Sequence, residues 1–495
     1  MRALARTVLV AGLGVGLVLG AYRYPDLRWH MAGSSAPAAT RPDASRAVTR
    51  STLICPGPET VGVKGVDAST AVAPTVVRVA SPPQELLDAG TTAGAGSVAA
   101  GAIGGSGALA FPGLAGSGVA TTQTNAARSI LLSGKGSLAP GLAAAQSTLV
   151  LAGDQRGLST SSCQAPSAET WLVGGGGEPG RRGRIVLTNP SPNGVTVDLQ
   201  VYGAKGPVRS TAARGIVVPA RTRTVVLLDA IAPGERSPVI HVVASGGVIA
   251  ASLNDAWLDG TTPVGADDVV GTTPGTRLVV PGVTATGGTG SLVLRVAATD
   301  REAVVRLRLL GVRGPIAAPV NNGVVRVRAH RVRDVDLSTV PPGDYGIELT
   351  SDAPVVAGAQ LRPPAASATA RRDLSWTTAE PAVQTLAGVP LGSMAAPWAG
   401  RLLLSASARD AQVDVVTVAA DGTQAVQPVM VAAGTTVAVP MKAPAVSAWL
   451  RVRSGAVVSA LATTYADPAG VLQSVAPLSA TALRTTPVSV HPLGG

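Results

Sequence analysis

At 495 residues the chain is too long for one hydrophobic core and calls for roughly three or four domains. Hydrophobic residues make up 46% but aromatics only 2%, and 59 Gly and 38 Pro punctuate the chain, so cores must be built from Val, Leu, Ala and Ile in short, turn-bounded strands. A net charge of +11 comes from scattered arginine, without a basic tail or interleaved aromatics, which argues against nucleic acid and leaves anionic wall polymers or lipid headgroups as charge partners.

The N-terminus sets the expected compartment. Met1-Arg2-Ala3-Leu4-Ala5-Arg6 is a short basic region, and Thr7 to Ala21 then runs without a charge. As a helix this run spans about 22 Å, short of the ~30 Å hydrocarbon core, which suits the apolar part of a secretory signal. Against cleavage, no small-x-small site follows closely: Tyr22-Arg23-Tyr24-Pro25-Asp26 comes next, and Ala36-Pro37-Ala38 lies far downstream. Arg6 can snorkel, and Tyr22 and Tyr24 suit the interfacial belt. Residues 1–30 are therefore expected to be a single-pass membrane anchor contacting the bilayer through residues 7–24, with the body outside the cell membrane. Secretion after signal cleavage is the alternative. Gly12, Gly16 and Gly20 form a small-xxx-small face suited to helix packing, although small residues abound everywhere in this chain. Residues 31–50, rich in Ala, Ser, Thr and Pro, read as a flexible stalk.

From Ser51 the pattern becomes strands. Residues 51–166 read as a degenerate first β unit, opened by Thr52-Leu53-Ile54-Cys55 and closed by Thr148-Leu149-Val150-Leu151. Its middle, 89–145, is Ala, Gly, Ser and Thr with almost no charge, and is expected to form a long loop with little core. Cys55 and Cys163 are the two cysteines; in an oxidising compartment they are expected to pair and tie the ends of this unit.

Three further units, 167–272, 273–381 and 382–495, carry one order of features. Each begins with a short strand: Trp171-Leu172-Val173, Arg277-Leu278-Val279-Val280 or Leu386-Ala387-Gly388-Val389. Alternating runs then lead to a turn whose glycines, Gly206, Gly314 and Gly422, recur at an interval of 108 residues. Counting alternating runs gives about seven strands per unit, which fits an all-β chain of tandem immunoglobulin-like β-sandwich units after an N-terminal membrane helix better than propeller blades.

Nothing in the chain amounts to a catalytic site, and no metal or cofactor is expected. His30, His241, His330 and His491 are isolated, and no His-Glu-x-x-His, Cys-x-x-Cys, Gly-x-Ser-x-Gly or phosphate-loop pattern occurs. Gly174 to Gly177 follows a strand without opening a helix and reads as a turn. Asp255 and Asp259 flank Trp257, with Asp267 and Asp268 close behind, and Asp373 precedes Trp376 at the analogous place one unit later. Such clusters can bind sugar or calcium, but their recurrence favours a Trp plugging each unit junction with Asp accepting backbone hydrogen bonds. Arg306 and Arg308 on one strand, and Arg326 and Arg328 on another, fall at period two. They give either a basic face for anionic polymers or the ordinary solvated side of an antiparallel sheet, with Val305, Leu307, Val325 and Val327 facing inward.

Cys55-Pro56, Cys163-Gln164-Ala165-Pro166, Trp171-Leu172-Val173-Gly174-Gly175, Ile185-Val186-Leu187-Thr188-Asn189-Pro190 and Val248-Ile249-Ala250-Ala251 resemble the pattern of an uncharacterised actinobacterial family of secreted or membrane-anchored proteins. The resemblance implies an extracytoplasmic β-rich body and carries over no catalytic residue. The expected function is a non-enzymatic envelope scaffold or interaction protein, accessory to wall or glycan assembly and contacting other envelope proteins. The alternative is a carbohydrate- or anionic-polymer-binding protein using Arg306, Arg308, Arg326, Arg328, Trp257 and Trp376.

Overall fold

Alternation of aliphatic and polar residues puts one face of each strand in a core: Val195, Val197, Leu199 and Val201 are buried while Thr196 between them is exposed. The computed structural model is all-β and describes residues 46–59, 74–87, 94–105, 109–365 and 371–485. The chain divides into a body, Ala47–Thr485, and a unit made of both chain ends, Met1–Arg46 and Thr486–Gly495. The expected anchor, most of the stalk and Gly12, Gly16 and Gly20 lie outside the described residues. Among the described residues no helix is long and apolar enough to cross a membrane.

The body repeats one pairing scheme four times. In the first pair of sheets, β1 (Arg50–Cys55), β5 (Ser129–Lys135) and β3 (Ser97–Ile103) form one sheet. β4 (Gly118–Thr124), β2 (Thr75–Ser81), β6 (Ala143–Val150) and β7 (Gly157–Ser162), in that order, form the other.

The second pair sets β8 (Glu169–Val173), β14 (Val239–Ser245) and β10 (Val195–Gly203), edged by β11 (Gly206–Val208) and β12 (Ile216–Val218), against β13 (Arg223–Leu227), β9 (Arg181–Thr188), β15 (Ala250–Asp259) and β16 (Thr262–Val270).

In the third, β17 (Gly275–Ala285), β19 (Ala303–Gly311), β20 (Gly314–Ala317) and β21 (Val324–Val327) occupy the first sheet. β18 (Ser291–Ala298), β22 (Val332–Asp336) and β24 (Ser375–Thr378) occupy the second. The long β23 (Gly343–Arg362) runs through both, pairing β17 and β19 with its first half and β18 and β24 with its second.

The fourth pair has β25 (Leu386–Pro390), β30 (Ala445–Ser454), β27 (Ala411–Ala419) and β28 (Gln424–Val431) in one sheet. Its other sheet is β29 (Thr435–Met441), β26 (Trp398–Ala406), β31 (Val458–Tyr465) and β32 (Leu472–Leu478).

The repeating turns have a backbone reason. Gly203 pairs with Gly206 and Gly311 with Gly314, so each hairpin turns in two residues. Gly206 and Gly314 sit at φ +123° and +122°, where a side chain is strained. Each core draws on both sheets of its pair; in the second, Leu172, Val197 and Ile240 meet Ile185, Leu253 and Val269. With few aromatics, these cores gain by number: each fully buried Val or Leu contributes about 1.5–3 kcal/mol.

The expected loop over 89–145 is a correction. That span holds β3, β4, β5 and the start of β6, and Val98, Ala120, Ile130, Leu132 and Leu142 share a core with Val77, Val79 and both cysteines. Short side chains suffice because the two sheets need only a thin filling beside the disulfide. Cys55 and Cys163 are bonded, with Cα atoms 4.4 Å apart.

The four pairs do not run as an open string. Their last strands meet at the centre of the body: β7 packs on β16 and β32, and β24 packs on the same two. Hydrogen bonds tie this centre across pairs, from Thr160 N to Ser474 Oγ at 2.7 Å, Trp376 N to Asp267 Oδ2 at 2.8 Å and Gln473 N to Asp373 Oδ2 at 2.8 Å. The chain closes a ring because the first pair also packs on the fourth, where Ala80 and Ala143 meet Leu386, Val416 and Trp449.

Candidate functional site

The ring junctions hold most of the buried charge. At the centre, Asp267 and Asp373 are buried, and burial pushes both carboxyls well above the usual carboxylate range; backbone N–H donors of Trp376, Gln473 and Leu374 offset this only in part. Asp268 is raised for the same reason, though Asn254, Ser159 and Gln146 all donate to it. Beside them Arg156, from the first pair, reaches into the third and fourth: its guanidinium donates to Arg372 O, to Gly470 O and to Asp467 Oδ2 at 2.7 Å.

The second–third junction is a ladder of cations and indoles. Arg181 stands between Trp257 and Trp376, 5.0 and 5.8 Å from their ring centres. Arg362 covers the free side of Trp257 at 5.0 Å, and Arg295 covers Trp376 at 5.3 Å. Asp255 grips Arg181 with both oxygens, at 2.9 and 2.6 Å, and also accepts the Trp376 indole N–H at 2.8 Å. Burial alone would lower the Arg181 pKa, but Asp255 and Glu178 outweigh it and hold it above its ordinary value. On the same junction Trp171 stacks on His241 at 4.1 Å and on Tyr202 at 5.6 Å, and Tyr202 stacks on His330.

One position recurs at every junction. The second strand of each pair carries an outward arginine: Arg78 on β2, Arg184 on β9, Arg295 on β18 and Arg401 on β26. Arg184 meets Glu59 of the first pair at 3.8 Å. Arg295 bonds Gly175 O and Pro238 O of the second pair and Asp334 beside it at 2.9 Å. Arg401 meets Asp344 of the third pair at 2.8 Å. Arg78 faces the fourth pair and, among the described residues, donates to Ser147 Oγ, at 3.2 Å.

Two of the cavities on the ring lie where sheet pairs meet. One, about 630 Å³, sits where the chain crosses between pairs and is lined by Arg50, Thr52, Glu169, Thr170, Glu380 and Ser479. Burial pushes the Glu380 carboxyl up to about 7, with the Ser479 hydroxyl donating to it at 2.8 Å. The other, about 280 Å³, is the cleft between the first and fourth pairs, walled by Val76, Leu149, Pro390, Met394 and Trp398, with Arg78 in its lining.

Several residues singled out in the sequence sit elsewhere. Trp376 is buried with its N–H spent on Asp255, and Trp257 is half-buried between two guanidiniums, so neither offers a face to a polymer; the junction plug is what the structure contains. Arg306, Arg326 and Arg328 are exposed and Arg308 half-buried, with Val305, Leu307, Val325 and Val327 inward. Glu348 meets Arg308 at 2.5 Å and Glu302 meets Arg326 at 3.2 Å, so this face is half neutralised. Asp259 is exposed, and among the described residues no group of three or more His, Cys, Asp or Glu could hold a metal ion. Arg78, Trp398 and Glu380 carry no motif that marks them in the sequence; the spacing of Arg78, Arg184, Arg295 and Arg401 is the one available signal.

Fold and junctions define a repetitive all-β protein of fused sheet pairs. The chain belongs to DUF5719, a family of unknown function, whose model matches residues 119–442. Comparison with curated proteins finds no match. Among solved structures, a "Biofilm associated protein - BSP domain" is similar at 8% identity and a TM-score of 0.13, covering 91% of this chain and 100% of that one, a likeness too weak to carry an argument.

Proposed function

We propose that the chain is a non-enzymatic extracytoplasmic scaffold of the cell envelope, built of immunoglobulin-like units and held at the membrane through residues 7–24. The observation that carries this reading is the buried Cys55–Cys163 disulfide, which ties the first strand of the ring to the end of the first sheet pair. Such bonds persist in oxidising compartments and are rare where thiols are kept reduced. The buried carboxylates also favour a framework: Asp255, Asp267, Asp268 and Asp373 are each occupied by donors from a neighbouring strand or pair.

A second reading, binding of anionic wall polymers, is favoured by Arg306 and Arg328, which are exposed on one sheet of the third pair. Two measurements separate the readings. Intact cells producing the full chain are treated with an impermeant protease, and the denatured chain is then probed with a maleimide without reductant. Cleavage of the body and unlabelled cysteines support the scaffold; a protected body with two labelled thiols overturns it. Retention on purified cell wall at low salt that Arg306→Gln and Arg328→Gln abolish would favour the polymer reading.

A further inference from the structure

Three of the four outward arginines are answered by a carboxylate at their junction: Glu59, Asp334 and Asp344. The fourth is not. Arg78 is half-buried, no described carboxylate pairs with it, and burial lowers its pKa without an opposing anion. A guanidinium withdrawn from water and left without an anion is costly unless something supplies the charge.

A second observation points the same way. Thr463, 4% exposed, also lines the cleft, and its hydroxyl has no hydrogen-bond partner. Buried hydroxyls are usually satisfied, so Thr463 leaves a polar group beside the cleft without a partner among the described residues. Val76, Leu149, Pro390, Met394 and the half-buried Trp398 give the cleft an apolar side, while Gln146, Ser147, Thr160 and Ser393 also line it. The cavity's size, about 280 Å³, is near the lower end of small-molecule sites.

We propose that the cleft between the first and fourth sheet pairs binds a small amphipathic anion, an apolar body ending in one carboxylate or phosphate. The anionic head pairs with Arg78 as Glu59, Asp334 and Asp344 pair with the corresponding arginines at the other junctions. The apolar body lies between Trp398, Met394 and Leu149. The ligand would thereby complete the first–fourth joint, binding being coupled to stability through mass action.

The test is calorimetric titration of the full chain with octanoate and with octyl phosphate, both below micelle-forming concentrations, beside 1-octanol and butyrate. One or both amphipathic anions should saturate a single site, and which of them binds tells a fatty-acid head from a phosphate head. 1-Octanol, lacking the charge, and butyrate, lacking the body, should bind at least about tenfold more weakly. Arg78→Gln should weaken the anion by about tenfold or more while Arg306→Gln leaves it unchanged. Trp398→Ala should also weaken it, and serves as the deciding variant if Arg78→Gln does not fold. No saturable binding of either anion overturns the proposal, and so does an affinity indifferent to Arg78→Gln and Trp398→Ala. That failure would leave the protease and maleimide results, and so the scaffold reading, untouched.

Discussion

Two kinds of joint hold this ring together. At the second–third junction charge is matched in place: Asp255 grips Arg181, Asp334 grips Arg295, and indoles fill the space between guanidiniums. At the first–fourth junction the same strand position offers Arg78 to a cleft with an apolar side, where among the described residues it donates to Ser147. The remainder of that joint is small-residue packing, Ala80 and Ala143 on Leu386 and Trp449. One repeated position can therefore be a rivet or a socket, depending on whether the junction holds a carboxylate, on the neighbouring pair as for Arg184 and Arg401 or on the adjacent strand as for Arg295. Unpaired buried charge is a liability in a framework and an asset in a binding site.

The contrast predicts a graded series. Asp255→Ala leaves Arg181 with the more exposed Glu178 as its anion and frees the Trp376 indole N–H, and should cost about 3–5 kcal/mol, read by urea unfolding. A loss no larger than that of an exposed ion pair would break the rivet picture. Replacing Cys55 and Cys163 by Ser should cost about 2–5 kcal/mol, because the bond closes a loop of 108 residues. The same unfolding assay reads this loss, and an unchanged midpoint would deny the disulfide its stapling role beside the open joint.

Glu380 makes a pH prediction. Its carboxyl is raised in the folded chain to about 7 from an ordinary 4.5, so between those values the folded state keeps a proton that the unfolded state has lost. That contribution is present in full below pH 4.5 and is lost as pH rises through 7. Relative to Glu380→Gln, the wild-type chain should therefore lose about 3 kcal/mol across this window. Parallel pH profiles for the two chains would contradict it. Smallest is Arg401→Ala: its pair with Asp344 is partly exposed, and the loss should be about 1 kcal/mol and shrink in high salt.

Much of the strand pattern is legible in the sequence, because Val and Leu at period two expose which face is buried and a glycine at positive φ marks each repeated hairpin. Residues 89–145 mislead, since Ala, Gly and Thr strands carry too weak an alternation to tell from loop; only their pairing with β1, β2 and one another shows them as sheet. The Asp and Trp recurrence at Trp257 and Trp376 announces a junction, but not that Arg181, Arg295 and Arg362 fill it. The cleft is invisible for a different reason. Arg78 and Trp398 are 320 residues apart and meet only because the ring closes, and closure depends on the angles between pairs rather than on any local motif.

The sharpest single test compares Arg295→Leu with Arg78→Leu by urea unfolding of the full chain in the absence of added ligand. Arg295→Leu should lose several kcal/mol by orphaning its carbonyl acceptors and Asp334, whereas Arg78→Leu should match or exceed the wild-type midpoint because it removes a half-buried charge that no described carboxylate answers. Equal losses at the two positions would mean that Arg78 already has its partner, and that the fourth joint is no different from the others.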